Sequence, residues 1–344
     1  MRTIEPPPPA LVDERGHVRF GTFSGPIADV NLIDAQPYAL PLPRSLRAAR
    51  LKEWQAFQLG SPRWFVALAL FDAKLVALAQ CKVFDRETHR KFVFERKLPP
   101  WALHAPRNVI DSTMAHSGLR FRSEFGRQRV TIAVDLPAGP QLPGLRGELI
   151  LDASGCESQV VSTPFAANRG MYSHKCCMRP QGQLQLGDET LAFSRADSFA
   201  FLDDHKGYYA YVMRWDWVTG GGLDAQGRMI GFNLTRNASI EPERYNECCV
   251  WIDGKLHLLP PVRFTRRPGA DPSGAEVWEV RDAQGCVSVD FVIEVDGYVK
   301  VNALVVESRY RGPFGHVRGS VVVAGERVAL DGLFGMGEDF HLRC

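Results

Sequence analysis

From about His17 onward the chain reads as short runs of β-branched, aromatic and aliphatic residues. Clusters of Gly, Asp, Asn and Pro interrupt them at roughly the eight-to-twelve-residue spacing of an all-β fold. Residues 317–323 and 328–330 flank Ala324-Gly325-Glu326-Arg327, residues 291–295 and 299–306 flank Asp296-Gly297, and residues 250–252 and 255–259 flank Asp253-Gly254. Each arrangement predicts a hairpin, because Gly and Asp accept the positive φ that tight turns require. Residues 64–71 and 75–84, split by Asp72-Ala73-Lys74, contain alanines and leucines that also suit a helix, but a short polar break between two apolar runs favours a hairpin. A lid or linker helix is predicted over Pro43 to Phe57, where Leu46, Ala49, Leu51, Trp54 and Phe57 recur between Arg and Lys.

The richest stretch runs from Asp203 to Trp217. Read as one strand, it puts Tyr209, Tyr211, Met213, Trp215 and Trp217 on one face and Tyr208, Val212, Arg214 and Asp216 on the other. The first face is an aromatic wall, which can line a ligand cavity or pack into an ordinary core. Titratable groups stand close by in sequence: Asp203, Asp204, His205, Arg214 and Asp216, then Glu338-Asp339-Phe340-His341. An Asp beside indole rings can be held neutral and act as an acid, whereas one paired with Arg stays ionised.

A length of 344 residues suits two domains of roughly 100–200 residues each. The Pro-rich residues 1–14 read as an extended arm, residues 15–150 as an N-terminal barrel and residues 151–344 as a C-terminal barrel, with the junction among Pro137-Ala138-Gly139-Pro140, Pro143-Gly144 and Ala153-Ser154-Gly155. With 45% hydrophobic and 23% charged residues the chain has globular composition. Lys plus Arg number 41 against 39 Asp plus Glu, interspersed, so no nucleic-acid partner is expected. No apolar run is long enough for a membrane span, and the terminus Met1-Arg2-Thr3-Ile4-Glu5 lacks the apolar core of a secretory signal, which predicts a cytoplasmic protein. The eight cysteines include the adjacent pairs Cys176/Cys177 and Cys248/Cys249 but no Cys-x-x-Cys. Neighbours on a strand face opposite ways, so no metal site is expected and the thiols read as small hydrophobes in a reducing compartment. Nucleotide loops and a Gly-x-Ser-x-Gly elbow are absent, and no cofactor is expected. Phe20-Gly21 to Gly25 and Phe314-Gly315 to Gly319 share a Phe-Gly-x-apolar-x-Gly frame, which reads as related strand positions at the two ends.

Taken in order, Asn168-Arg169-Gly170-Met171-Tyr172 through Lys175, Leu202-Asp203, Lys206-Gly207-Tyr208-Tyr209, Trp215-Asp216-Trp217, Gly231-Phe232-Asn233-Leu234, Glu247, Trp251 to Leu256, Phe314-Gly315 and Gly335-x-Gly337-Glu338-Asp339-x-His341 resemble the family called domain of unknown function 2804. The likeness covers nearly the whole chain from about residue 15. That family is similar to the carotenoid 1,2-hydratase (hydroxyneurosporene synthase) lipocalin-like group, and the resemblance implies two calycin-type antiparallel β-barrels. Tyr211, Val212 and Met213 depart from a pattern that often carries arginine, and Asp216 stands where an amide is common.

Three functional readings follow. The first is binding of a hydrophobic small molecule, lipid or isoprenoid-like, in a barrel or between barrels. Its candidate ligand-binding residues are Lys175, Tyr209, Tyr211, Met213, Trp215, Trp217, Asn233, Glu338 and His341. The second is a hydro-lyase or isomerase that protonates a carbon–carbon double bond, with Asp203 as acid, His205 completing the relay, Asp216 as a further catalytic candidate and aromatic faces steadying the cation. The third is a structural protein with a filled barrel.

Overall fold

Alternating side chains commit most of this chain to strands, and hydrogen bonding assembles them into two large curled sheets. A computed structural model describes residues 2–74, 76–303 and 306–343. The chain separates into two compact units, one spanning Thr3–Tyr209 and the other running from Ala210 together with Arg2.

In the first unit the sheet order is Arg90–Leu98, Ala77–Asp85, Trp64–Asp72, Lys52–Gly60, Phe199–Gly207, Arg169–Leu186, Leu145–Asp152, Arg129–Leu136, Leu119–Glu124 and Asp111–His116, each strand antiparallel to its neighbours. The long Arg169–Leu186 strand joins two regions: its first half pairs with Ser158–Ala166 and Phe199–Gly207, its second with Leu145–Asp152 and Glu189–Phe193. One sheet face supplies Phe57, Leu68, Leu202, Met178, Leu149, Ile132 and Phe121 to a single buried cluster, so the interior of this barrel is a packed core. In the second unit the order is Lys255–Leu258, Cys249–Ile252, Met229–Arg236, Val212–Leu223, Phe334–Arg343, Phe314–Val323, Val287–Val295, Val277–Asp282 and Val262–Arg267. Its core gathers Val218, Leu234, Phe232, Val250, Trp278, Phe291 and Val317. Gly337 is required here, because a Cβ would stand 2.6 Å from the Trp278 ring. Among the described residues no helix is long and apolar enough to cross a membrane.

The hairpins around Ala324-Gly325, Asp253-Gly254 and Asp72-Ala73-Lys74 form as expected, with positive φ at Ala324, Gly325, Asp253 and Gly254; Leu75 lies outside the described residues. Other expectations are corrected. Only Arg44–Arg50 is helical; Lys52–Gly60 is a strand, because pairing on both sides with Trp64–Asp72 and Phe199–Gly207 overrides its helical-looking apolar spacing. Leu46, expected on the buried stripe, is 54% exposed. Asp296-Gly297 does not close a hairpin. Val287–Val295 pairs instead with Val277–Asp282 and Phe314–Val323, Tyr298–Ala303 pairs with Val306–Arg311, and Leu304 and Val305 lie outside the described residues. The Asp296 carboxylate accepts from Gly297 N–H and from Arg311, which holds this connection open. The division expected near residue 150 falls at 209/210, since Leu145–Asp152 is zipped to Arg169–Leu186 and cannot part from it. The N-terminal arm is partly folded: Ile4–Glu5 runs parallel to Gly21–Phe23, and Leu11 and Val12 are buried with Val18 and Phe23. The two Phe-Gly frames lie in unlike strands, Gly21–Phe23 and Phe314–Val323, one in each unit.

Candidate functional site

The segment 203–217 is not one strand. Phe199–Gly207 ends in the first unit and Val212–Leu223 begins in the second, with Tyr208–Tyr211 between them. The expected wall is therefore divided: Tyr209 closes the first unit, Tyr211 is 54% exposed, and Met213, Trp215 and Trp217 share one face of the later strand.

Asp203 and His205 stand on one face of Phe199–Gly207, paired across to Lys175 and Ser173 on one side and to Ala56 and Trp54 on the other. The Lys175 ammonium donates to Asp203 Oδ1 and lies 3.1 Å from His205 Nε2; His205 Nε2 is also 2.9 Å from Asp203 Oδ1 and 3.1 Å from Ser173 Oγ. Trp54 donates from Nε1 to Asp203 Oδ2 at 3.4 Å and stacks on the His205 ring at 4.6 Å and 8°, with Tyr209 stacked on the Trp54 ring at 5.9 Å. Burial pushes the Asp203 carboxyl up, but Lys175 and His205 outweigh it and hold the group well below the usual carboxylate range. Asp203 is thus an ionised counter-charge rather than the neutral acid expected for carbon protonation. Gln159, on the adjacent strand Ser158–Ala166, pairs with Lys175, is fully buried, and among the described residues has hydrogen-bond partners for neither its amide oxygen nor its nitrogen.

The carboxyl with a raised pKa is the neighbour that sequence reasoning did not choose. Asp204 faces the other side of the sheet, where burial is the largest cause of the rise and Lys206 opposes it. It accepts from Gln55 at 3.0 Å, while its second oxygen has no partner among the described residues. His174, its partner on the adjacent strand, is pushed down to about 3 by burial and then by Lys175.

In the second unit, the face that turns to the core carries Arg214, Asp216 and Val218 rather than the tryptophans. Asp216 accepts from Arg236 Nε at 2.6 Å and from Arg266, so it is held in an ion-pair network. Arg266, 4.3 Å over the Trp278 ring, and Arg311, 5.5 Å from it, cover the apolar core. Around these groups opens a cavity of about 540 Å³, also bordered by Arg214, Trp215, Tyr298, Arg309, Tyr310, Asp339, Phe340 and His341. Of the residues chosen from sequence, Trp215, Asp216 and His341 line it. Glu338 and Asn233 act as pegs for rings: Glu338 accepts from Trp215 Nε1 at 2.8 Å and Tyr310 OH at 2.9 Å, and Asn233 accepts from Trp217 Nε1 at 2.6 Å. Apart from Arg214, the arginines of this cavity were missed because Arg236, Arg266, Arg309 and Arg311 come from three further strands that are far apart in sequence.

Two curled antiparallel sheets of this kind define a two-barrel, lipocalin-like protein. The chain belongs to the family described as Domain of unknown function (DUF2804), whose model matches residues 2–344. Its fold is similar to that of CghA, solved with Sch210972, at a TM-score of 0.55 and 13% identity over 86% of this chain and 89% of that one. Kievitone hydratase from Nectria haematococca aligns at a TM-score of 0.48 and 14% identity over 84% of this chain and 88% of that one. No curated protein matches the chain.

Proposed function

We propose that this protein binds a small molecule with a flat apolar frame at the open end of its C-terminal barrel. One observation carries the reading: a cavity of about 540 Å³ in which the Tyr298 ring lies among several guanidinium groups, a volume within the roughly 300–1,000 Å³ of small-molecule sites. The ligand expected from sequence was purely hydrophobic; the charged border favours an amphipathic one. A packed first barrel supports placing the ligand in the second. Native mass spectrometry of the purified protein should show a retained small molecule, and Tyr298→Ala should weaken its retention. Protein that carries none, and whose tryptophan fluorescence responds to no aromatic probe, overturns the reading.

A hydratase or isomerase activity is the second reading, favoured by the mutual contact of Lys175, Asp203, His205 and Ser173 beside the unpartnered Gln159 amide. In it, Asp203 orients and balances the charge of the Lys175–His205 pair, which moves the proton, and Gln159 holds a water or a substrate oxygen. Asp203→Asn should abolish turnover of an identified substrate while sparing its binding; unchanged turnover removes the reading.

A further inference from the structure

Adjacent strands at the open end of the C-terminal barrel place their charged residues in cross-strand rows, and the rows differ in charge balance. The row Arg236–Asp216–Asp339–Arg311 sets two carboxylates between two arginines. Arg311 is further paired with Glu276 at 2.8 Å and Asp296 at 2.6 Å, and Arg266 with Asp216, so every guanidinium here is neutralised. Two residues along the same face, the row reads Arg214–His341–Arg309 and contains no carboxylate. Arg309 lies 3.0 Å from Glu307, which Arg343 also approaches at 3.6 Å. Among the described residues Arg214 has no carboxylate within ion-pair distance. Among the described residues Arg214, Arg309 and Arg343 thus have one carboxylate, that of Glu307, within ion-pair distance, so positive charge is in excess along this row. Burial, then Arg214 and Arg309, press the His341 imidazole toward its neutral form, against Glu307.

We infer that the Arg214–His341–Arg309 row seats a carboxylate of the bound small molecule, whose flat frame extends along the same face into the cavity beside Tyr298. This inference rests on the binding reading above and narrows it to aromatic or conjugated carboxylic acids. Guanidinium groups present paired N–H donors in a planar fork that matches a carboxylate, and they are less strongly hydrated than an ammonium. A carboxylate here supplies charge that this row lacks among the described residues, whereas in the neighbouring row the guanidiniums already meet carboxylates.

The test compares 2-naphthoate with 2-naphthalenemethanol, the same ring system without the charge, by calorimetry and tryptophan quenching on the full chain. The naphthoate should bind about tenfold or more tighter, the scale of one charge-assisted hydrogen bond, and lose that advantage as salt rises. Arg214→Gln should weaken the naphthoate far more than the alcohol and so erase the preference, while Arg214→Lys should restore part of it. Equal binding of the two probes, or Arg214→Gln weakening both alike, overturns the carboxylate seat and leaves the cavity as a binding site. If neither probe binds and native mass spectrometry finds no ligand, the binding reading falls and the seat falls with it.

Discussion

Lys175→Met tests how the buried charges of the first unit are held. The Lys175 and Asp203 side chains are only 5% and 10% exposed, so their attraction is little screened by water. Removing one partner of such a pair leaves an uncompensated charge and costs about 3–5 kcal/mol, whereas replacing both with apolar groups of similar volume is often near neutral. Lys175→Met leaves the Asp203 carboxylate with His205 and the Trp54 indole among its described partners. The expected loss is therefore about 3 kcal/mol or more, at the lower end because those two donors remain. The double variant Lys175→Met/Asp203→Leu should recover most of it. Urea unfolding followed by far-ultraviolet circular dichroism at pH 7 measures both, and the double-mutant cycle gives the coupling directly. The pH dependence has a fixed sign. The folded pKa of Asp203 lies below its unfolded value of about 3.9, so the stability it contributes is full above that value and is lost as pH falls through the folded pKa. The single variant should weaken this acid-side dependence, since burial is then opposed by His205 without the ammonium. A loss under about 1 kcal/mol, or a double variant no more stable than the single, refutes the account of a buried, mutually dependent pair.

Asp204 should show the opposite pH behaviour. Its folded pKa is raised by burial, so its contribution is complete below the unfolded value of about 3.9 and declines as pH rises through the folded pKa; Asp204→Asn should flatten the fall in melting temperature between those two points, and an unchanged pH profile rejects a raised pKa there. Gly337→Ala should destabilise the second unit by about 1–3 kcal/mol, because its methyl collides with the Trp278 ring from 2.6 Å; thermal unfolding at wild-type temperature would contradict that packing. Gly254→Ala, at φ 84°, should cost about 1 kcal/mol by straining the Asp253-Gly254 turn, read as a lowered urea midpoint. Asn233→Ala removes the acceptor of the Trp217 indole and should shift and broaden tryptophan emission; an identical spectrum argues against that hydrogen bond.

The parts of this fold that were legible in the sequence are those fixed locally. Asp253-Gly254 and Ala324-Gly325 announce tight turns by the residues themselves, and alternation around them gives the strands. What failed depended on partners distant in sequence. Trp54 and Phe57 have helical spacing from Leu46, yet strands arriving from Trp64 and from Phe199 claim them, and no local signal records that competition. Which side of a strand faces the core was equally hidden wherever both sides are buried. On Phe199–Gly207 every residue is buried, so alternation separates Asp203 from Asp204 but cannot say which one meets Lys175 and which enters the apolar interior. The difference decides the chemistry. One step along the chain turns a carboxylate locked in an ion pair into a carboxyl held toward its neutral form, and the deciding residue, Lys175, reaches its place only because Arg169–Leu186 lies beside Phe199–Gly207 in this register. The same logic governs Val212–Leu223, where the tryptophans drew notice but the face that meets the core belongs to Arg214, Asp216 and Val218. In a chain with strands buried on both sides, residue type identifies candidate chemistry, and register across the sheet assigns it.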